Sequence, residues 1–559
     1  MTEWSKVFDL KSNMLKHRGF KSHYFLMLIF YFNIILLIEN ILVLFIIDEE
    51  RLFNLNFYIE DISYSSIGII HLFPEIWLIV AILYNLVSFL NDIYRPIFLV
   101  YRWFNTYIMI FIFLFVYFNY CILPQYKIIL GFSWINCVYI SVSKIIILLL
   151  TLINIWVSKK KIKTLTALNI VLEFPLILSF SILFMFFLTS SYDFFCVYVS
   201  IEGLSLTLYV LSAILHKSLT SVEATIKYFS LGAISTGILL LGISIIFALV
   251  GSLDFLEIQL FLGGLKSYFH FFEIKFGFIL ILFSFLFKIS AFPCHIWVAD
   301  VYEGIWTPIT LFFAVVIKVC LILFFSRLIF NVLFNIIFCF QFLLSFVAVG
   351  SMVIGAFGAL KQVRIKRFIA YASINQVGFF ILGIASSNLI GLISIFIYII
   401  AYAIMNILFF SILLNTEHFI TQRSMIYLSD LYIFTLSNNQ SSKYLVLTLM
   451  SMAGLPPLGG FVGKLFLYFA TIEARLDFVL IISLTISVLS TYYYLNIIKH
   501  ILFEKCSNLK LYYYIKNINT KIILNFLAIS LLLFFLLPAY IWSFLVSIAM
   551  SCVWPLIWY

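Results

Sequence analysis

Charge is what this chain of 559 residues has least of: Asp, Glu, Lys and Arg make up only 10% of it. A soluble domain carries about 25%, and no segment here is polar enough to form a water-soluble domain of its own. Paired metal-ligating residues are missing too. None of the 8 Cys forms a Cys-x-x-Cys pair, and the 8 His are scattered, never two to an apolar run. That excludes a haem or copper core, and no metal site is expected. Phosphate loops are absent: before Lys464, Leu458 stands where the first glycine would be, and Leu465 stands where Ser or Thr would be. No flavin, iron–sulfur or nicotinamide motif appears, so no cofactor-binding residue is expected. The basic start of the chain also holds Glu3 and Asp9 and lacks a short apolar stretch with a small-residue cleavage site. Neither a secretory signal nor a transit peptide is expected.

What the chain has is apolar length. Hydrophobic residues make up 64% and aromatic residues 19%, and the mean hydropathy is +1.16. A bilayer crossing needs about 20 apolar residues. The apolar runs are continuous rather than alternating with a period of two, which excludes a β-barrel. About fifteen spans are predicted, starting near 24, 66, 97, 136, 167, 191, 223, 273, 304, 332, 364, 388, 443, 477 and 522. The fold class is therefore an all-α polytopic membrane protein of 14–15 transmembrane helices.

The basic residues test that count. With fifteen spans, 23 of the 34 Lys and Arg fall on one side, six on the other and five inside spans. A wrong count would scramble this asymmetry. The positive-inside rule then puts the N-terminus and the basic loops on the cytoplasmic or matrix side.

The five in-span lysines are Lys144, Lys227, Lys288, Lys318 and Lys464. A charge at mid-bilayer costs roughly 2.5–3.5 kcal/mol on insertion scales, so such residues line hydrated paths or pair inside the bundle. Lys288, Lys318 and Glu202 lie too deep to reach a headgroup. Lys227 follows Glu223 by one helical turn, so an ordinary i,i+4 pair near the surface explains it almost as well. Lys144 is expected to snorkel. Two apolar runs are also broken beside a lysine. Pro293 follows Lys288 in FKISAFPCHIW (287–297), and Pro456 and Pro457 with two glycines precede Lys464 in SMAGLPPLGGFVGK (451–464). Proline frees backbone groups that lipid cannot satisfy. A plain packing kink explains one such break; two, each with a lysine, are what a midplane ion path in a duplicated transporter requires. A faint echo between 226–243 and 365–384 is compatible with duplication.

At these segments the chain resembles a known family. VSIEGLSLTLYVL (199–211), EATIKYFSLGAISTGILLLGI (223–243), FKISAFPCHIWVADVYEGIWTP (287–308), AYASINQVGF (370–379) and AGLPPLGGFVGK (453–464) look like the subunit 2 family of respiratory NADH:ubiquinone oxidoreductase, complex I, the N subunit of bacteria. The likeness runs from about 66 to 500, and the DVYEG stretch is its most specific part. The resemblance implies two inverted five-helix repeats, each with a discontinuous helix. It implies Glu202 paired with Lys227, Lys288 at the first break, Lys318 as central relay and Lys464 leading toward the outer exit, with His295 hydrating or gating the path. Ala299 and Cys294 depart from the family pattern, Ile305 and Trp306 replace an Ala-Pro pair, and Gln376 stands where histidine is frequent.

On that resemblance the domains are an N-terminal extension with one extra helix (1–65), N-terminal helices (66–165), a first repeat (166–330), a second repeat (331–500) and a C-terminal loop and helix (501–559). The expected function is proton translocation in the membrane arm of complex I. NADH, FMN, iron–sulfur clusters and ubiquinone are expected in partner subunits, among them a neighbouring antiporter-like subunit; lipids are expected partners, nucleic acid is not. Phe (65) and Tyr (33), with Ile, Asn and Lys, are the residues of A+T-rich codons. They point to synthesis inside an organelle and to the mitochondrial inner membrane, N-terminus in the matrix, with a plastid or bacterial membrane as the alternatives. The rival readings are a stand-alone cation/proton antiporter and a structural subunit without its own channel.

Overall fold

The computed structural model describes residues 72–91, 127–129, 133–164, 168–264, 268–418, 425–431, 439–503, 513–515, 518–536 and 538–553. The chain divides into two compact units, Met1–Ile70 and His71–Tyr559, and every described residue lies in the second. The N-terminal extension and the spans expected near 24 and 97 lie outside the described residues.

In chain order the helices are α1 (Phe73–Asn91), α2 (Val138–Thr164), α3 (Leu168–Ser190), α4 (Phe194–Ser212), α5 (Leu219–Val250), α6 (Phe255–Gly264), α7 (Tyr268–Ile289) and α8 (Ile296–Gly304). Then come α9 (Thr307–Asn331), α10 (Ile337–Leu360), α11 (Ile365–Ala385), α12 (Leu389–Asn415), α13 (Asn439–Ala453), α14 (Gly459–Glu473), α15 (Asp477–Phe503), α16 (Ile518–Leu536) and α17 (Pro538–Val553). Nine of these helices are long and apolar enough to cross a membrane. The only strands among the described residues are two antiparallel pairs of three residues each, Lys127–Ile129 with Trp134–Asn136 and Thr416–His418 with Tyr513–Ile515. The expected run starting near 522 is two helices, because Pro538 takes the first position of a new one.

Two blocks of five crossings follow α2. The first is α3, α4, α5, the broken pair α7–α8, and α9. The second is α10, α11, α12, the broken pair α13–α14, and α15. In both the fourth crossing is the interrupted one. Five is odd, so the second block begins on the opposite face from the first and the repeats are inverted. The echo between 226–243 and 365–384 does not mark this duplication: it joins the third helix of one block to the second of the other.

Apolar character decides which helix lies where. The spanning window of α9 is buried all round, and α11 and α12 nearly so. A helix hydrophobic on every face belongs inside a bundle. α10 instead shows one outward stripe, Phe338, Phe342 and Phe346, at the i,i+4 spacing of a single face.

Lys144 does not snorkel. Its ammonium pairs with Glu75 of α1, both side chains buried, and Ser190 of α3 donates to the same carboxylate at 3.4 Å. Arg327, one of the six basic residues that the fifteen-span count puts on the side opposite the basic loops, is likewise buried: it donates to the carbonyls of Thr189 and Ser191, capping the C-terminal end of α3. Breaking a buried pair leaves an uncompensated charge, which costs roughly 3–5 kcal/mol. Glu75→Ala is therefore expected to lower the thermal stability of the purified protein strongly, and Glu75→Ala with Lys144→Met to lower it much less. Equal losses in a melting experiment would contradict a buried ion pair.

Candidate proton path

The first break sets Lys288. α7 ends at Ile289, Ser290 takes a left-handed φ of 70°, and the chain turns through Pro293 before α8 begins. The indole of Trp297 on α8 donates to the carbonyl of Phe287 at 3.2 Å, so the break's freed acceptor is satisfied from within the protein. Lys288 stands in the last turn of α7. Among the described residues its buried Nζ has no hydrogen-bond partner, and Glu202 of α4 is near enough to act on it electrostatically. Glu202 itself accepts from Ser205 at 3.2 Å.

Lys288 and Lys318 line one cavity, shared with Ser205, Tyr228, Trp297 and Tyr302. About 20 Å³ of it is open to the centre of a water-sized sphere, enough for a water molecule. Lys318, 2% exposed, follows directly on a π-helical turn, Phe313–Ile317. Such turns leave a backbone group needing a partner and gather at functional sites. Here Tyr402 of α12 donates to the carbonyl of Ala314 at 2.6 Å. The Lys318 ammonium donates to Ser373 of α11 at 2.9 Å and lies 5.6 Å from the Tyr302 ring centre.

α11 carries the line onward. Ser373, Gln376 and Phe379 recur every three residues and so share a face. Gln376 accepts from Tyr398 at 2.9 Å, and the Phe379 ring lies 5.1 Å from the ammonium of Lys464. At the second break α13 ends at Ala453 and Gly454 takes φ 83°. Lys464 of α14, 5% exposed, donates to the carbonyls of Ala453 at 3.0 Å and Met452 at 3.4 Å. It therefore sits on the negative end of a half-helix, the geometry that holds cations in transporters with broken helices.

Lys227 is placed differently from expectation. Its ammonium bonds Glu223 at 2.8 Å and Asp300 at 3.0 Å, not Glu202. It lies in a vestibule of about 550 Å³ on the face of the basic loops, with Lys161, Arg364 and Lys366. Of the two sequence readings of Lys227, the i,i+4 pair with Glu223 exists. His295 stacks on Phe292 at 6.3 Å within the break and is not among the residues lining the cavity of Lys288 and Lys318. Pro293, Pro456 and Pro457 lie on the exposed side of their turns. Sequence reasoning did not single out Asp300, Ser373, Tyr302 or Tyr398; only the DVYEG motif around Asp300 offered a signal.

A sequence profile described as "NADH:quinone oxidoreductase/Mrp antiporter, TM" matches residues 191–490. NADH-quinone oxidoreductase subunit N of Pelagibacter ubique is 37% identical over 372 residues, 66% of this chain and 76% of that protein. The subunit N of Paramagnetospirillum magneticum is 36% identical over 340 residues, 60% and 68% of the two chains. In fold, a chain of respiratory complex I from Thermus thermophilus matches with a TM-score of 0.69 at 22% identity, over 84% of this chain and 98% of that one. A chain of the Mrp complex from a Dietzia species matches with a TM-score of 0.73 at 16% identity, over 86% and 97%. With more than half of its 559 residues inside the matched span, the chain belongs to the NADH:quinone oxidoreductase/Mrp antiporter family of membrane subunits, and the relatives named above are subunit N proteins.

Proposed function

We propose that this chain carries one proton path of the membrane arm of complex I. The observation that carries the reading is a single line of buried lysines, Lys288 and Lys318 on one cavity and Lys464 beyond Ser373 and Gln376 on α11. Protons enter from the vestibule at Lys227. Burial disfavours a charged ammonium and a nearby carboxylate favours it. A change in the position or charge of Glu202 therefore switches Lys288, and through the cavity Lys318, between holding and releasing a proton. Lys464 passes the proton toward the opposite face, with the half-helix carbonyls of Met452 and Ala453 holding its charged form.

The energy comes from electron transfer from NADH to ubiquinone through FMN and iron–sulfur clusters in partner subunits, and a neighbouring antiporter-like subunit is one of those partners. The relatives named above are bacterial. The abundance of Phe and Tyr supports synthesis in an organelle, and with it a location in the mitochondrial inner membrane with the basic loops in the matrix. His295 stays a gating candidate beside the first break. The segments 1–65, 66–165, 166–330, 331–500 and 501–559 serve as extension, N-terminal helices, first repeat, second repeat and C-terminal part.

Purification is expected to bring the chain down with flavin and iron–sulfur subunits; isolation without them would favour a free-standing antiporter. Lys288→Ala and Lys464→Ala are expected to assemble and yet to move fewer protons per NADH. Full pumping in both would refute the path.

A further inference from the structure

The DVYEG motif is not used up by the lysine line, although α8 ends in it. Its residues point to two places at once. Tyr302 lines the cavity between Lys288 and Lys318. Two residues before it, Asp300 faces the vestibule, where one carboxylate oxygen takes Lys227 of α5 at 3.0 Å and the other takes Arg367 of α11 at 3.1 Å. Glu303 pairs with both Arg367 and Arg364. Glu223, Lys227, Asp300, Arg367, Glu303 and Arg364 thus form one chain of alternating charge, from the third helix of the first repeat to the second helix of the second. Lys366 adds a cap, donating to the carbonyls of Glu303 and Ile305 at the C-terminal end of α8. Gly304 lets that end lie against α5: a Cβ there would stand 2.5 Å from the carbonyl oxygen of Thr220. Trp297, one turn before Asp300, holds the break closed on Phe287 and stacks with Tyr228 at 5.1 Å.

We propose that Asp300 is a positioning residue for proton transfer, tying the mouth of the path in the first repeat to the second repeat. The inference rests on the proton-path reading above. Asp300 shares Lys227 with Glu223, where the resemblance had placed Glu202, and Glu202 acts instead on Lys288. Through Arg367 the same carboxylate fixes α8 against α11, and α8 carries Trp297 and Tyr302 to the cavity. A change of charge at Lys227 is therefore felt at once by the half-helix and by the helix that leads to Lys464.

The test uses the assembled complex in liposomes, with proton uptake per NADH oxidised and uncoupled NADH oxidation as separate readouts. Asp300→Asn keeps the size, removes the charge and leaves one accepting oxygen where Asp300 has two, one for Lys227 and one for Arg367. Proton uptake per NADH is expected to fall by about twofold or more, a larger loss than that of uncoupled NADH oxidation, and Asp300→Glu is expected to restore it. An unchanged ratio in Asp300→Asn overturns the proposal. So does loss of assembled complex that Asp300→Glu fails to recover, since that marks a structural role. Lys288→Ala in the same preparation separates the two readings. If it pumps fully, the path itself is wrong; if it loses pumping while Asp300→Asn keeps its ratio, only the role of Asp300 falls.

Discussion

Lys318→Met is expected to stop proton movement through this subunit while leaving the complex assembled. Methionine matches the length of the lysine stem, and replacing a buried charge by an apolar side chain of similar volume is often neutral or stabilising. Among the described residues Lys318 has no carboxylate partner to orphan, and its polar contact is the Ser373 hydroxyl at 2.9 Å. What disappears is the ammonium that joins the cavity to Ser373 of α11, and loss of a positioned proton-transfer group slows a step by roughly 100-fold or more. Proton uptake by liposomes during NADH oxidation measures the pumping, and native gel electrophoresis measures assembly. A purely structural subunit gives the opposite pattern, with assembly falling as far as activity.

The second large effect lies at the other break. Gly460 stands in the first turn of α14 where that half-helix crosses the end of α13, and a Cβ there would stand 1.9 Å from the carbonyl oxygen of Ser451. That obstacle is backbone and cannot swing aside, so Gly460→Val must pry the half-helices apart. Overpacking costs roughly 1–3 kcal/mol, occasionally more. Here it would also move Lys464 off the carbonyls of Met452 and Ala453. The variant is expected to reduce assembled complex sharply, and normal assembly with normal pumping would show that the crossing is looser than described. Gly454→Ala offers a milder comparison: φ 83° disfavours any side chain by roughly 1–2 kcal/mol.

The spans and the breaks were legible because each is a local property. Continuous apolar length marks a crossing, and proline beside a buried lysine marks an interrupted one, so the predicted starts near 136, 191, 364 and 388 lie within a few residues of the observed helices. The burial of Lys318, Lys464 and the Lys288 ammonium was legible for the same reason, since a charge deep in an apolar run is costly wherever its partner stands. Partners were not legible. Lys227 meets Asp300 from 73 residues away, Lys144 meets Glu75 from 69 away, and nothing in one-dimensional spacing joins either pair. Arg327 looked like a loop residue because it lies near the end of a run; inside the bundle, the C-terminal carbonyls of α3 receive it. The π-helical turn before Lys318 left no sequence mark either, since it depends on Tyr402 reaching over from α12. The resemblance gave Glu202 the partner Lys227; the fold instead pairs Lys227 with Glu223 and Asp300.

The central claim is that Lys288 and Lys318 act in series across one cavity. Groups in series on a single path do not contribute independently, so their deletions must fail to add. Proton uptake per NADH should therefore be measured in liposomes carrying Lys288→Met, Lys318→Met and the double variant. The account predicts the same reduced ratio in all three. A double variant that loses about the sum of the two single losses would place the lysines on separate paths and contradict it.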